Sequence, residues 1–143
     1  MPADDPHDLA RFRAAQDAHG TYDTALAELR RGRKTSHWMW FVLPQIAGLG
    51  CSPTAVRYAI SSLTEARAYL ADPVLGPRVE EAADAVLAAP AASAEDLLGG
   101  IDAAKLRSSM TLFAHAAPDR AVFRRVLERW FGGQEDDATL QRI

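Results

Sequence analysis

A chain of 143 residues with 16 basic and 19 acidic side chains fits one compact domain, and its net charge of -3 lacks the basic excess of a general nucleic-acid binder. The hydrophobic share of 48% and charged share of 24% are ordinary globular values. The single cysteine, Cys51, excludes an intrachain disulfide framework. The opening MPADDPHDLARF lacks the cationic start and apolar run of a signal peptide, and no apolar run approaches the roughly 20 residues of a membrane helix. The expectation is a soluble, cytoplasmic protein with no membrane or nucleic-acid partner. It forms one domain over residues 1–143, with a flexible stretch over residues 1–7.

In chain order the punctuation is helical. Within GTYDTALAELRRGRK, residues Tyr22, Ala25, Leu26 and Leu29 repeat at the spacing of a one-faced helix. Arg30 and Arg31 suit its C-terminal dipole, and Gly32 provides a left-handed cap. Trp38 to Leu43 is an unbroken apolar run that periodicity assigns to neither helix nor strand; Thr35 or Ser36 could cap a short helix there that ends near Pro44. Ser52 precedes Pro53 as the N-cap of the next helix. SLTE, from Ser62 to Glu65, is a capping box before Ala66, Tyr69 and Leu70.

Asp72 and Pro73 read as N-cap and first residue of a helix that turns Leu75, Val79, Ala82 and Val86 to the core. The small, proline-interrupted AAPAASAED is an interhelical loop. Ser93 starts a short helix that Gly99 and Gly100 stop, and a further one runs from Asp102 to about Ala116. After Pro118, Phe123, Val126, Leu127 and Trp130 share a face, so Trp130 is expected to be buried. No alternating β-branched runs exist to pair as a sheet. The predicted fold is all-α, one multihelical domain of about seven or eight short helices.

The segments LARFRAAQ, ELRRGRKTSHWMWFVLPQIAGLGCS, RYAISSLTEARAYL, LGPRVEE, DAAKLRSSMTLF and FGGQEDDATL occur in an order that resembles the domain-of-unknown-function 1810 family, over about Leu9 to Leu140. The resemblance implies a small, monomeric, all-helical bacterial protein without an established activity. Some members carry the label calpastatin, the name of a disordered inhibitor, whereas this sequence patterns as a packed domain. One departure falls at LADPVLG, where the family has a histidine before the proline and this chain has Asp72.

Three stretches carry candidate chemistry. In GRKTSHWMWFVLPQ the cations Arg33 and Lys34 and the imidazole of His37 precede Trp38 and Trp40. Cations beside an aromatic face suit a ligand with a phosphate and a planar base; equally, they form an ordinary charged helix end before a core segment. Six consecutive apolar residues on a helix point in all directions, so at least one tryptophan should lie near the surface or in a cleft. In DAAKLRSSMTLF the side chains of Asp102, Lys105 and Ser109 fall within the arc of Leu106, Met110 and Phe113. Either Asp102 caps the helix and pairs with Lys105, or these groups line a pocket.

In GLGCSP a glycine loop leads into a helix N-terminus, an arrangement that serves plain capping or presents N–H groups to an anion. Cys51 is a nucleophile if His37 activates it, and otherwise a buried thiol. Glu135, Asp136 and Asp137 cap a terminal turn or reach a cleft. The four histidines have no zinc-type spacing, so neither a metal nor another cofactor is expected.

Two functions from different classes follow. The first is binding or hydrolysis of a nucleotide-like, ADP-ribose-type phosphate ligand between the Trp38–Trp40 segment and the Lys105–Phe113 helix. Its ligand-binding set is Arg33, Lys34, His37, Trp38, Trp40, Gln45, Ser52, Lys105 and Ser109, with Glu65 or Asp102 as acid/base. The second is a non-catalytic interaction module built on the Arg30–Lys34 cluster and its neighbouring aromatics.

Overall fold

The computed structural model describes residues 4–143. Ten α-helical segments follow one another: α1 Ala10–Asp17, α2 Thr21–Arg31, α3 Met39–Val42, α4 Pro53–Arg57, α5 Leu63–Ala71, α6 Leu75–Ala88, α7 Ala94–Leu98, α8 Gly100–Ala116, α9 Ala121–Phe131 and α10 Asp137–Leu140. A 3-10 turn, Ala18–Gly20, joins α1 to α2. The architecture is all-α, with no strand among the described residues; an isolated parallel bridge ties Ile46 to Ile60. The count exceeds the expected one because single turns such as α3 and α10, each of four residues, leave no periodic signature. No described helix is long and apolar enough to cross a membrane.

Local chemistry explains most boundaries. In α2 the residues Tyr22, Ala25, Leu26 and Leu29 are buried, and Gly32 ends the helix at φ 89°. A Cβ there would stand 2.5 Å from the carbonyl oxygen of Pro90, so only glycine allows both the turn and the approach. Ser62, Ser52 and Ser93 each accept the expected N-cap hydrogen bond. Asp72 and Pro73 do not open the helix as expected: α6 begins at Leu75 with Val74 as its N-cap, and Asp72 Oδ2 accepts from the N–H groups of Val74 and Leu75 in the turn before it. Residues 1–3 of the expected flexible stretch lie outside the described residues. From Asp5 onward the chain is tied to α1, since that carboxylate accepts from the N–H groups of Leu9 and Ala10.

The centre of the molecule is α8, which packs against α5, α7, α9 and α10. Every residue from Ser108 to Thr111 and on to Ala114 is buried. From Ser108 onward this helix is enclosed nearly all round rather than amphipathic, so a polar residue there need not mark a pocket. The hydroxyls of Ser108 and Thr111 donate to the carbonyls of Ala104 and Arg107, one turn back. Ser109, expected in a ligand site, is fully buried, its Oγ has no hydrogen-bond partner, and it lines no cleft.

Trp130 corrects another expectation. It is only half-buried, packed on the core edge with its Nε1 donating to Val86 O at 2.9 Å and the Arg129 guanidinium over its ring. Phe123, Val126 and Leu127 fill the buried face of α9 in its place. Trp130→Ala is therefore expected to lower stability by about 2 kcal/mol in denaturant melts, below the range for a fully enclosed tryptophan.

Candidate functional site

The TSHWMWF segment is placed by one buried acid. Glu28, on the inner face of α2 and 2% exposed, directs Oε1 at the segment after the helix. That oxygen accepts from the N–H groups of Thr35 and Ser36 at 2.8 and 3.0 Å and from Trp38 Nε1 at 3.0 Å. Desolvation opposes its charge, but the bonds from Ser36, Trp38 and the two backbone amides outweigh it and hold the carboxyl at about 2. Glu28 thus fixes the segment before α3, while neither Thr35 nor Ser36 caps that helix as expected: α3 starts at Met39 without a side-chain cap. Trp38 is drawn fully into the core, so it is no ligand platform.

Trp40, two residues on, takes the other position. It is half-buried and forms a wall shared by two adjoining clefts, together with Ile101 and Lys105. The first cleft, of about 460 Å³, is completed by Lys34, His37, Gly99 and Asp102. Here Lys34 Nζ lies 2.8 Å from Asp102 Oδ2, and Lys105 Nζ lies 3.6 Å from Asp102 Oδ1. Two ammonium groups share one carboxylate, leaving a net positive charge. Lys34 is the enclosed partner, with its side chain 8% exposed; Lys105 reaches over the Trp40 ring at 4.7 Å. Both readings of Asp102 are partly met. It pairs with Lys105 but does not cap α8, whose start has no side-chain cap.

Glycine opens that helix end to the cleft. Gly99 has φ 85° and ψ 159°, a combination that residues with a Cβ scarcely populate. It lets α7 stop and α8 start without an intervening loop, so the uncapped start of a 17-residue helix lines the same cleft as the lysines.

The second cleft, of about 510 Å³, adds Gln45, Gly50, Cys51, Ser52, Ser108 and Asp136. The Ile46–Ile60 bridge fixes this wall, with Ile60 N donating to Gln45 O at 2.9 Å. Ser52 uses its hydroxyl to cap α4. Cys51 is exposed rather than buried, because the GLGCSP loop lies outside the core. His37 lines the first cleft and Cys51 the second, with no hydrogen bond between them, so the thiol–imidazole pairing does not form.

Of the sequence-based candidates, Lys34, His37, Trp40, Asp102 and Lys105 meet at the first cleft and Gln45 and Ser52 at the second. Arg33 does not: it is exposed and lines neither cleft. Glu65 is far from acid/base duty. It is 3% exposed, accepts from the N–H and hydroxyl of Ser61, and pairs with Arg11 at 2.9 Å. Asp136 belongs to the second cleft although sequence reading left its role open; a cap position followed by Thr139 signalled only the capping. Larger grooves exist elsewhere, such as one between α2 and α6 lined by Arg30, Glu80, Glu81 and Asp84, but it offers neither an aromatic wall nor a cation excess.

An all-α domain with a cationic, aromatic-walled cleft at a helix start is the class that fold and site define. The chain belongs to the family described as "Protein of unknown function (DUF1810)", which matches residues 6–143. No curated protein matches it. The fold is similar to the crystal structure of the conserved hypothetical protein Rv1873 from Mycobacterium tuberculosis, with a TM-score of 0.92, 50% sequence identity and 96% of each chain covered.

Proposed function

We propose that the protein binds a phosphate-bearing, nucleotide-like small molecule in the cleft between Trp40 and the start of α8. The observation that carries this reading is the arrangement of Lys34 and Lys105 on the single carboxylate of Asp102, beside an aromatic wall and an uncapped helix N-terminus. A phosphate supplies the second anion that two ammonium groups call for. Lys105 is the group that moves. Its contact with Trp40 is of the strength of a cation–π pair, about 1 kcal/mol, less than a charge-assisted bond to phosphate contributes. As the ammonium swings to the anion, it uncovers the ring for a planar base, which makes an ADP-ribose-type ligand a good fit.

Binding is favoured over hydrolysis. Glu65 is locked in an interior ion pair, and Asp102 is held between two lysines, so neither is placed as a free base. The interaction-module reading draws less support, since the Arg30–Lys34 cluster is split. Arg30 lies toward Glu81 on α6 and Arg31 bonds Thr35, while Lys34 turns inward.

Lys105→Met tests the reading. The Lys105 pair is long and partly solvated, so the free protein should change in stability by less than about 1 kcal/mol. Thermal shift with ADP-ribose, ADP and pyrophosphate should stabilise the wild type and leave the variant unmoved. A flat wild-type response across that panel, beside a positive control for the assay, would overturn the proposal.

A further inference from the structure

We infer that the second cleft reads the hydroxyl groups of a sugar attached to the phosphate, with Asp136 as the residue that confers this selectivity. The inference rests on the phosphate-binding reading of the first cleft and assigns the rest of the ligand.

The argument starts from the two oxygens of one carboxylate. Oδ2 of Asp136 accepts from Thr139 N at 2.9 Å and Thr139 Oγ1 at 2.6 Å, and shares the single Ser108 hydroxyl hydrogen, at 3.2 Å, with the Ala104 carbonyl. The Asp136 N–H donates to Thr111 Oγ1 at 2.9 Å. The side chain is therefore fixed in direction from both α8 and α10. Oδ1 accepts from no group among the described residues, although Asp136 lines the cleft. Capping α10 needs a single oxygen, which serine or asparagine also supplies. The second oxygen is thus a free acceptor on a held side chain that lines the cleft.

In the same cleft the Gln45 side-chain amide also makes no hydrogen bond among the described residues, and the lining includes the apolar Leu49, Ala55 and Ile101. A carboxylate acceptor and an amide, set in an apolar lining, suit a group that donates and accepts at several points. Vicinal hydroxyls do this, and carboxylates bind ribose hydroxyls in the same way in dinucleotide sites.

Charge excludes the alternatives. A second phosphate would meet Asp136, and an amine would meet Lys105 on the same wall. The cation excess lies in the first cleft, so the phosphate belongs there and the uncharged sugar in the second. Lys105 and Trp40 stand at the junction that such a ligand must cross.

Titration calorimetry with inorganic phosphate, ribose 5-phosphate and 2-deoxyribose 5-phosphate tests this. The wild type should bind ribose 5-phosphate about tenfold more tightly than phosphate, the worth of one or two bonds to a charged acceptor. The 2-deoxy sugar should lose part of that gain. Asp136→Asn, which keeps the α10 cap, should remove the sugar-dependent gain and leave phosphate binding unchanged. Gln45→Ala, which touches no cap, should reduce the same gain and guards against a folding defect in the Asp136 variant. Lys105→Met should abolish binding of all three. Equal wild-type affinity for phosphate and ribose 5-phosphate would overturn the sugar assignment while the anion site stands. No binding of any of the three would overturn both.

Discussion

Replacing Glu28 by alanine is expected to lower the unfolding free energy by about 4 kcal/mol, because it strips a buried indole N–H and two backbone amides of their shared acceptor. Trp38 is fully enclosed, so water cannot substitute at its Nε1, and that bond accounts for the largest part. Acid should act on the same oxygen. An ordinary glutamate titrates near 4.5, and this one is held at about 2 in the folded state. A depressed folded value means that the stabilisation is complete above the ordinary value and is lost as pH falls toward the folded one. The gap corresponds to about 3 kcal/mol. Glu135 is also held low: burial opposes its charge, but Arg124 and His115 overcome it, so wild-type acid sensitivity alone is not diagnostic. The comparison with Glu28→Gln isolates the residue. In denaturant melts, the stability difference between the two proteins should be largest at pH 6 and shrink steadily from pH 5 to pH 2. A difference independent of pH would show that Glu28 acts as a neutral acceptor.

Arg11→Met should cost about 3–5 kcal/mol, the range for removing one partner of a buried pair. The Arg11 guanidinium uses its whole fork. It donates to the carbonyls of His7, Asp8, Arg57 and Ala59 and to Glu65 Oε2, at 2.6 to 2.9 Å. These bonds join the start of the chain to the segment before α5, in a place where the side chains of Arg11 and Glu65 are 10% and 4% exposed. Methionine keeps the stem and removes every donor, leaving the Glu65 charge with Ser61 alone. Adding Glu65→Gln to the variant removes that stranded charge and should restore part of the loss. A cost under about 1 kcal/mol would mean that Glu65 does not depend on Arg11, and would reopen the chemical role that its sequence position suggested.

The helices were legible because their chemistry is local. The i, i+3, i+4 spacing of α2, the serine caps of α4, α5 and α7, and the glycine stop at Gly32 each act within a few residues. The division of labour between Trp38 and Trp40 was not legible, since it is decided by Glu28, ten residues before Trp38 and on α2. A glutamate on the apolar face of α2, one turn beyond Ala25, was the available sign that something in the interior needed an acceptor. Asp102 and Lys105 could be paired from their spacing, but Lys34 joins them only through the docking of α7 and α8. Ser109 misled because α8 was read as one-faced. The half of α8 from Ser108 onward is buried nearly all round and places hydroxyls inside without any ligand to serve.

The three tryptophans occupy three different settings, and this makes the chain its own optical instrument. Trp38 is sealed in the core against a carboxylate, Trp130 sits on the rim of α9, and Trp40 forms the cleft wall under a lysine ammonium. Indole emission follows the polarity and charge around the ring, so unfolding reports chiefly through Trp38 while occupancy of the cleft reports through Trp40. Phenylalanine at position 40 would silence the second signal and keep the first. Folding and the binding proposed for the cleft are thus separable in one unlabelled sample.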